Sequence, residues 1–175
     1  MLKLLLPALL ICLFCASPSL CRKADDLYIS ITLTRGERSR DSGGSTTTIT
    51  LAQDRIIYER VYHGMAASRQ KPVRKEFKFG DEEKGRLIEL IRARELLVED
   101  SIKHPLAESG IVRYFKISIQ LEFDGKKRAI SIEGPTNAVK IKDQNLYRNA
   151  TALIEEIYKI INLMDKEITY EALID

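Results

Sequence analysis

Phe115-Lys116-Ile117-Ser118-Ile119-Gln120-Leu121-Glu122-Phe123-Asp124-Gly125-Lys126-Lys127-Arg128-Ala129-Ile130-Ser131-Ile132 is the stretch that decides how this chain folds. From Phe115 to Phe123 every second side chain is apolar and those between are polar, the two-residue period of a half-buried strand. Asp124-Gly125 suits a two-residue hairpin turn, in which both central residues need positive φ. Closing the chain there sets Ile119 opposite Ile130 and Ile117 opposite Ile132 on one face. On the other face it sets Glu122 opposite Lys127 and Lys116 opposite Glu133. A four-residue loop keeps the faces but loses both opposite-charge pairs, each worth about 0.2–1 kcal/mol, so the short turn is preferred.

Toward the N-terminus, Leu27, Ile29, Ile31 and Leu33 alternate with Tyr28, Ser30 and Thr32, which predicts a first strand. Residues 35–44 read Arg-Gly-Glu-Arg-Ser-Arg-Asp-Ser-Gly-Gly, a polar loop ended by two glycines and long enough to project from a sheet. The β-branched run 46–51 restarts the sheet, and Gln53-Asp54 turns it into a third strand over 55–62. Ile56-Ile57 spoils the alternation there, so its faces stay unassigned. Residues 64–75 hold Pro72 and a basic cluster, Arg69, Lys71, Arg74 and Lys75, without a period, and read as a surface connection. Phe77 and Phe79 suit a short edge.

Two helices follow from spacing. Asp81, Glu82 and Glu83 oppose the dipole of a helix whose apolar face is Leu87, Ile88 and Ile91. Leu96-Leu97-Val98 either continues or caps it, and a loop containing His104-Pro105 returns the chain to the hairpin. Asp143 is a reasonable cap for the second helix. Leu146, Ala150, Leu153, Ile157, Ile161 and Met164 form one stripe, with Ile154 beside it. Burying each Ile or Leu is worth about 1.5–3 kcal/mol, so this stripe should face the sheet. The tail 165–175 has no clear assignment. The expected fold is α+β, a mainly antiparallel sheet of about five strands in the order βββαββα, with two helices on one face.

Residues 1–21 read as an export signal: Lys3 opens it, an apolar core runs from Leu4 to Ala16, and Ser19-Leu20-Cys21 offers a small-x-small cleavage pattern. Lipid anchoring through Cys21 is the alternative, although Pro18-Ser19-Leu20 is a poor lead-in to an acylated cysteine. The expected mature chain is a single α+β domain, residues 22–175, without a transmembrane segment and with a secreted or periplasmic location. All three cysteines, Cys12, Cys15 and Cys21, fall in the leading segment, so a hydrophobic core rather than disulfides must hold the domain. Losing Lys3 leaves 27 basic against 25 acidic side chains, too balanced to argue for nucleic acid or an anionic membrane.

The chemistry looked for starts with nucleophiles. The mature chain has no cysteine, no Gly-x-Ser-x-Gly elbow, no phosphate-binding glycine loop, no dinucleotide fingerprint and no His-Glu-x-x-His. Only His63 and His104 supply imidazole, neither beside a second ligand at metal spacing, so no metal, cofactor or catalytic residue is assigned. Glu122 and Glu133 have a structural role as cross-strand partners. Tyr58, Tyr62, Tyr114 and Tyr147 read as core-edge residues, and the Asn149-Ala150-Thr151 acceptor pattern falls inside a helix. The candidate site is the loop itself: Arg35, Arg38, Arg40, Ser42, Gly43 and Gly44, carried on a rigid sheet to meet another protein.

Ser42-Gly43-Gly44, the paired strands after it, the Gly80-Asp81-Glu82-Glu83 helix start, Tyr114-Phe115-Lys116-Ile117 and the last helix together resemble the emfourin-type small bacterial inhibitors of thermolysin-like metalloproteases. After the glycines this chain has Ser45-Thr46-Thr47-Thr48 in place of that family's aromatic and small residues. The resemblance implies a non-catalytic protein that occludes an exported protease. The expectation is therefore an exported protein-binding domain, an inhibitor acting through residues 35–44 or binding along an open sheet edge. The alternatives are a carboxylate-dependent hydrolase or a structural envelope protein.

Overall fold

The computed structural model describes residues 27–37, 43–103, 113–135 and 144–170. The elements run β1 (Tyr28–Glu37), β2 (Gly44–Ala52), β3 (Arg55–His63), a 3-10 turn (Gly64–Ala66), β4 (Val73–Lys78), α1 (Asp81–Ala93), β5 (Asp100–Lys103), β6 (Arg113–Phe123), β7 (Lys126–Pro135) and α2 (Gln144–Met164). The seven strands form one sheet, ordered β4-β3-β2-β1-β6-β7-β5. The class is α+β, but the expected five strands and βββαββα order are corrected by two additions. β4 pairs antiparallel with β3, and β5 pairs parallel with β7, which makes the sheet mixed.

The β6–β7 hairpin has the expected register: Ile117 faces Ile132, Ile119 faces Ile130, Lys116 faces Glu133 and Glu122 faces Lys127. Asp124 and Gly125 turn at φ 52° and 71°, both positive as the tight turn requires. β1 sits between this hairpin and β2, so Ile31 faces Ile119 on one side and Ile49 on the other. β3 takes its faces from β2: Ile56 lies opposite Leu51 and Tyr58 opposite Ile49, both turned inward, while Ile57 turns outward with Thr50. The uneven Ile56-Ile57 pair is resolved by its neighbour, not by its own pattern.

The inward face of the sheet and both helices share one hydrophobic core, in which Ile29, Ile31, Ile49, Ile117 and Ile132 meet Leu87, Ile91, Leu153, Ile157 and Ile161. Both helices therefore lie on that face. α1 leaves β4 at one edge and its chain reaches β5 at the other. Six strand spacings of about 4.8 Å make about 29 Å, of which a 13-residue helix at about 1.5 Å per residue covers about 20 Å. The segment after it supplies the remainder.

α1 ends in a Schellman cap: the Glu95 N–H donates to the Arg92 carbonyl at 3.1 Å and the Leu96 N–H to the Ile91 carbonyl at 3.0 Å. Leu96 drops fully into the core, which settles the expected alternative between continuation and cap. In α2 the expected stripe is buried from Ala150 to Ile161, joined by Ile154, Tyr158 and Ile160, while Met164 lies 44% exposed past its end. Asp143, its expected cap, lies outside the described residues. The tail docks as far as it is described, with Ile168 buried and Tyr170 set 5.3 Å from the Tyr158 ring. No helix among the described residues is long and apolar enough to cross a membrane.

Candidate functional site

The expected loop is shorter than its sequence suggests. β1 continues through Arg35 and Gly36 to Glu37, still paired with β6, and β2 already begins at Gly44. Arg38, Arg40 and Ser42 lie outside the described residues, so the structure gives no account of them.

What the structure does place is the base on which the loop stands. A Cβ added to Gly44 would come within 2.6 Å of the Arg35 carbonyl oxygen; at Gly43 it would meet the Ala66 backbone nitrogen at 2.9 Å; at Gly36 it would meet the Tyr114 ring at 3.0 Å. At Gly43 and Gly44 the contact is with backbone and closer than real side chains keep, so close approach requires glycine there; at Gly36 the contact is tight, but its partner is a side-chain ring. Tyr114 covers Gly36 from the neighbouring strand β6, a ring supplying the contact surface that glycine lacks.

Arg35 corrects the expectation of a projecting arm. It lies opposite Ser45 and Phe115, on the inward face of the sheet, and its positive charge is felt by Tyr147 and Tyr170 on the helical side. Burial, with the nearby Tyr170 and Glu155 adding to it, pushes the Tyr147 phenol well above its ordinary value, and Arg35 opposes that rise. Burial likewise pushes Tyr170 up to about 12. These tyrosines stay protonated across the ordinary pH range. Beside them Arg60 Nε donates to Thr47 Oγ1 at 3.2 Å, and burial raises both Tyr58 and Tyr158, whose rings meet edge to face at 6.3 Å.

On the opposite, outward face, Thr46 and His63 share a hydrogen bond of 3.0 Å between Oγ1 and Nε2. They line a hollow of about 400 Å³ with Thr48, Val61, Pro72 and the Glu59–Arg74 pair. The single-residue view of His63 missed this pairing. The signal was available only after β2 and β3 are set in register, Thr46 lying opposite Val61 and Gly44 opposite His63. His104 lies outside the described residues.

The basic cluster is not one patch. Arg69 and Lys71 are exposed in the connection, but Arg74 pairs with Glu59 at 2.7 Å and Lys75 points to the helical side. There Lys75 Nζ meets Asp165 at 2.5 Å and Glu167 at 3.2 Å. The carboxylates considered for hydrolysis are engaged too: Glu122 with Lys127 at 2.9 Å, and Glu133 with Lys116 at 3.6 Å and Lys103 at 3.9 Å. Asn149 of the acceptor pattern donates its side-chain amide to the Arg94 carbonyl at 3.0 Å, joining α2 to the end of α1. Thr151 turns its hydroxyl back to the Tyr147 carbonyl at 2.9 Å.

No protein-family model matches this chain, and no curated protein matches it. Among solved structures it is similar to the motor domain of a kinesin-like protein of Saccharomyces cerevisiae, at a TM-score of 0.21 and 9% identity, over 85% of this chain and 46% of that one. The chain thus spans less than half the length of that motor domain, and a likeness this weak carries no argument about fold or function.

Proposed function

We propose that this is an exported, non-enzymatic protein-binding domain that acts as a protease inhibitor through the loop between β1 and β2. The observation that supports this reading is the glycine base: Gly43 and Gly44 are packed against backbone with no room for a side chain, and Gly36 lies tight against the Tyr114 ring. The strands that carry it, β1 and β2, are interior to the seven-stranded sheet, which fixes where the two ends of the loop stand. Both sheet edges carry features that discourage strand addition, so the loop is preferred to an edge. β4 has the inward-facing Lys75 and the exposed Arg74, Glu76 and Lys78, and β5 is four residues long.

In this reading Arg38, Arg40 and Ser42 make the contact, Gly43 and Gly44 shape the approach, and Arg35 holds the base. The resemblance to emfourin-type inhibitors names the partner class, an exported thermolysin-like metalloprotease. Titrating thermolysin with the protein is the test. Stoichiometric loss of proteolysis is expected, weakened about tenfold or more when Arg38 and Arg40 are both replaced by alanine. Full protease activity at excess protein, or inhibition indifferent to those replacements, contradicts it.

A further inference from the structure

We propose that the outward face of the sheet is a binding surface for a neutral, hydroxyl-rich polymer strand, a polysaccharide. This surface is distinct from the loop, and the inference does not depend on protease binding.

The face is set by register. Thr50 lies opposite Ser30, Thr48 opposite Thr32 and Thr46 opposite Thr34, so β2 and β1 present two parallel columns of hydroxyls. The central row continues through Ser118 of β6 and Ser131 of β7 to Ser101 of β5. Rows repeat about every 6.8 Å along the strands and columns about every 4.8 Å across them. All of these side chains are at least partly exposed, and the helices lie on the other face.

Charge selects the class of partner. The hydroxyl-bearing positions are uncharged, and the ions that extend their rows, Glu59 beside Thr48 and Lys116 beside Thr34, are each set against an opposite charge. On one side Arg55 meets Glu76 at 2.8 Å and Arg74 meets Glu59 at 2.7 Å. On the other, Lys127 meets Glu122 at 2.9 Å and Glu133 lies between Lys116 and Lys103. Such a surface offers little field to a polyanion or polycation. It offers hydroxyls that donate and accept, and threonine methyls, which together match the alternating hydroxyl and C–H surface of a sugar chain.

Two hollows lie on this same face, at opposite ends of the strip. One, of about 400 Å³, adjoins Thr46 and Thr48 beside Val61, which is 44% exposed. The other, of about 390 Å³, is lined by Tyr28, Gln120 and Ala129 with the Glu122–Lys127 pair, Glu99 and Arg128. Tyr28 at one end and Tyr114 at the other, both on outward positions, supply aromatic surface of the kind that stacks on sugar rings.

The test is a nuclear magnetic resonance titration of the isotopically labelled protein with cellohexaose, maltohexaose and chitohexaose in turn. At least one sugar is expected to shift the amides of Thr32, Thr48 and Ser118 while leaving those of α1 and α2 in place. Its affinity should change by less than about twofold between 50 and 500 mM salt, because no ion pair forms with a neutral chain. Thr48→Lys should weaken it by about tenfold or more, since a charge would then be covered without a partner. If that variant fails to fold, the wild-type shift map and salt dependence decide alone. No shift with any of the three, shifts confined to the helical side, a strong salt dependence, or a concentration-dependent dimer that covers this face each overturns the proposal.

Discussion

Lys75 Nζ stands 2.5 Å from Asp165 Oδ2, joining edge strand β4 to the segment that follows α2 across 90 residues of sequence. Glu167 meets the same ammonium at 3.2 Å, and the Glu167 N–H donates to the Asp165 carboxylate at 3.0 Å. The hydrogen bond from Lys75 holds Asp165 below the ordinary carboxylate range, helped by the Glu167 N–H. The hydrogen bonds to Asp165 and then Glu167 hold Lys75 above the ordinary lysine range. A lowered carboxylate contributes stability above its unfolded value near 4 and loses it as pH falls through the folded value. A raised lysine contributes below its unfolded value near 10.4 and loses it as pH rises through the folded value. The melting-temperature difference between the protein and its Asp165→Asn variant should thus be level from about pH 5 to pH 9 and should shrink below about pH 4. A difference that grows with acid contradicts the pairing.

Glu95 sits at φ 53° in the αL position of the Schellman cap, where glycine is the favoured residue. Replacing it with glycine removes the strain of a side chain in that region at some cost in unfolded-state entropy. Glu95→Gly should stabilise the protein by about 0.5–1 kcal/mol, with a rise in melting temperature of about 1–4 °C. Urea unfolding measures it directly, and a loss of stability would show that the cap is not formed.

Two glycine-to-alanine changes should have opposite signs. Gly85 lies in the exposed flank of α1 with nothing within 4 Å of a new Cβ, so alanine should stabilise by about 0.5–1 kcal/mol. Gly44 has the Arg35 carbonyl at 2.6 Å, and that backbone oxygen is held by its strand. Gly44→Ala should destabilise by about 1–3 kcal/mol and weaken any binding that uses the loop. Equal effects at the two sites would mean that the loop base is not tightly built.

The hairpin was legible because alternation, turn chemistry and charge pairing in residues 115–133 all demand one register. α2 was legible for the same kind of reason, its stripe from Ala150 to Ile161 leaving no other face to bury. β4 was not, because Val73-Arg74-Lys75-Glu76 carries charge at consecutive positions. Lys75 occupies an inward-facing edge position where its partners, Asp165 and Glu167, come from 90 residues or more along the chain. β5 offers a single apolar residue, Ile102, and owes its place to parallel pairing with β7, which no local pattern announces. At the candidate site Gly43 and Gly44 were visible as the end of a loop, whereas their close contacts, the inward turn of Arg35 and the Thr46–His63 bond appear only once β1, β2 and β3 are paired.

Cysteine accessibility tests the placement of the two faces most directly, because both the loop base and the outward hydroxyl strip rest on it. In a chain with Cys12, Cys15 and Cys21 replaced by serine, Thr32→Cys and Ile31→Cys are neighbours with opposite predicted environments, partly exposed and fully buried. The thiol at 32 should react with a maleimide about a hundredfold or more faster than the thiol at 31, which must wait for the core to open. Equal rates, or faster reaction at 31, would place the helices on the wrong side of the sheet and contradict the account.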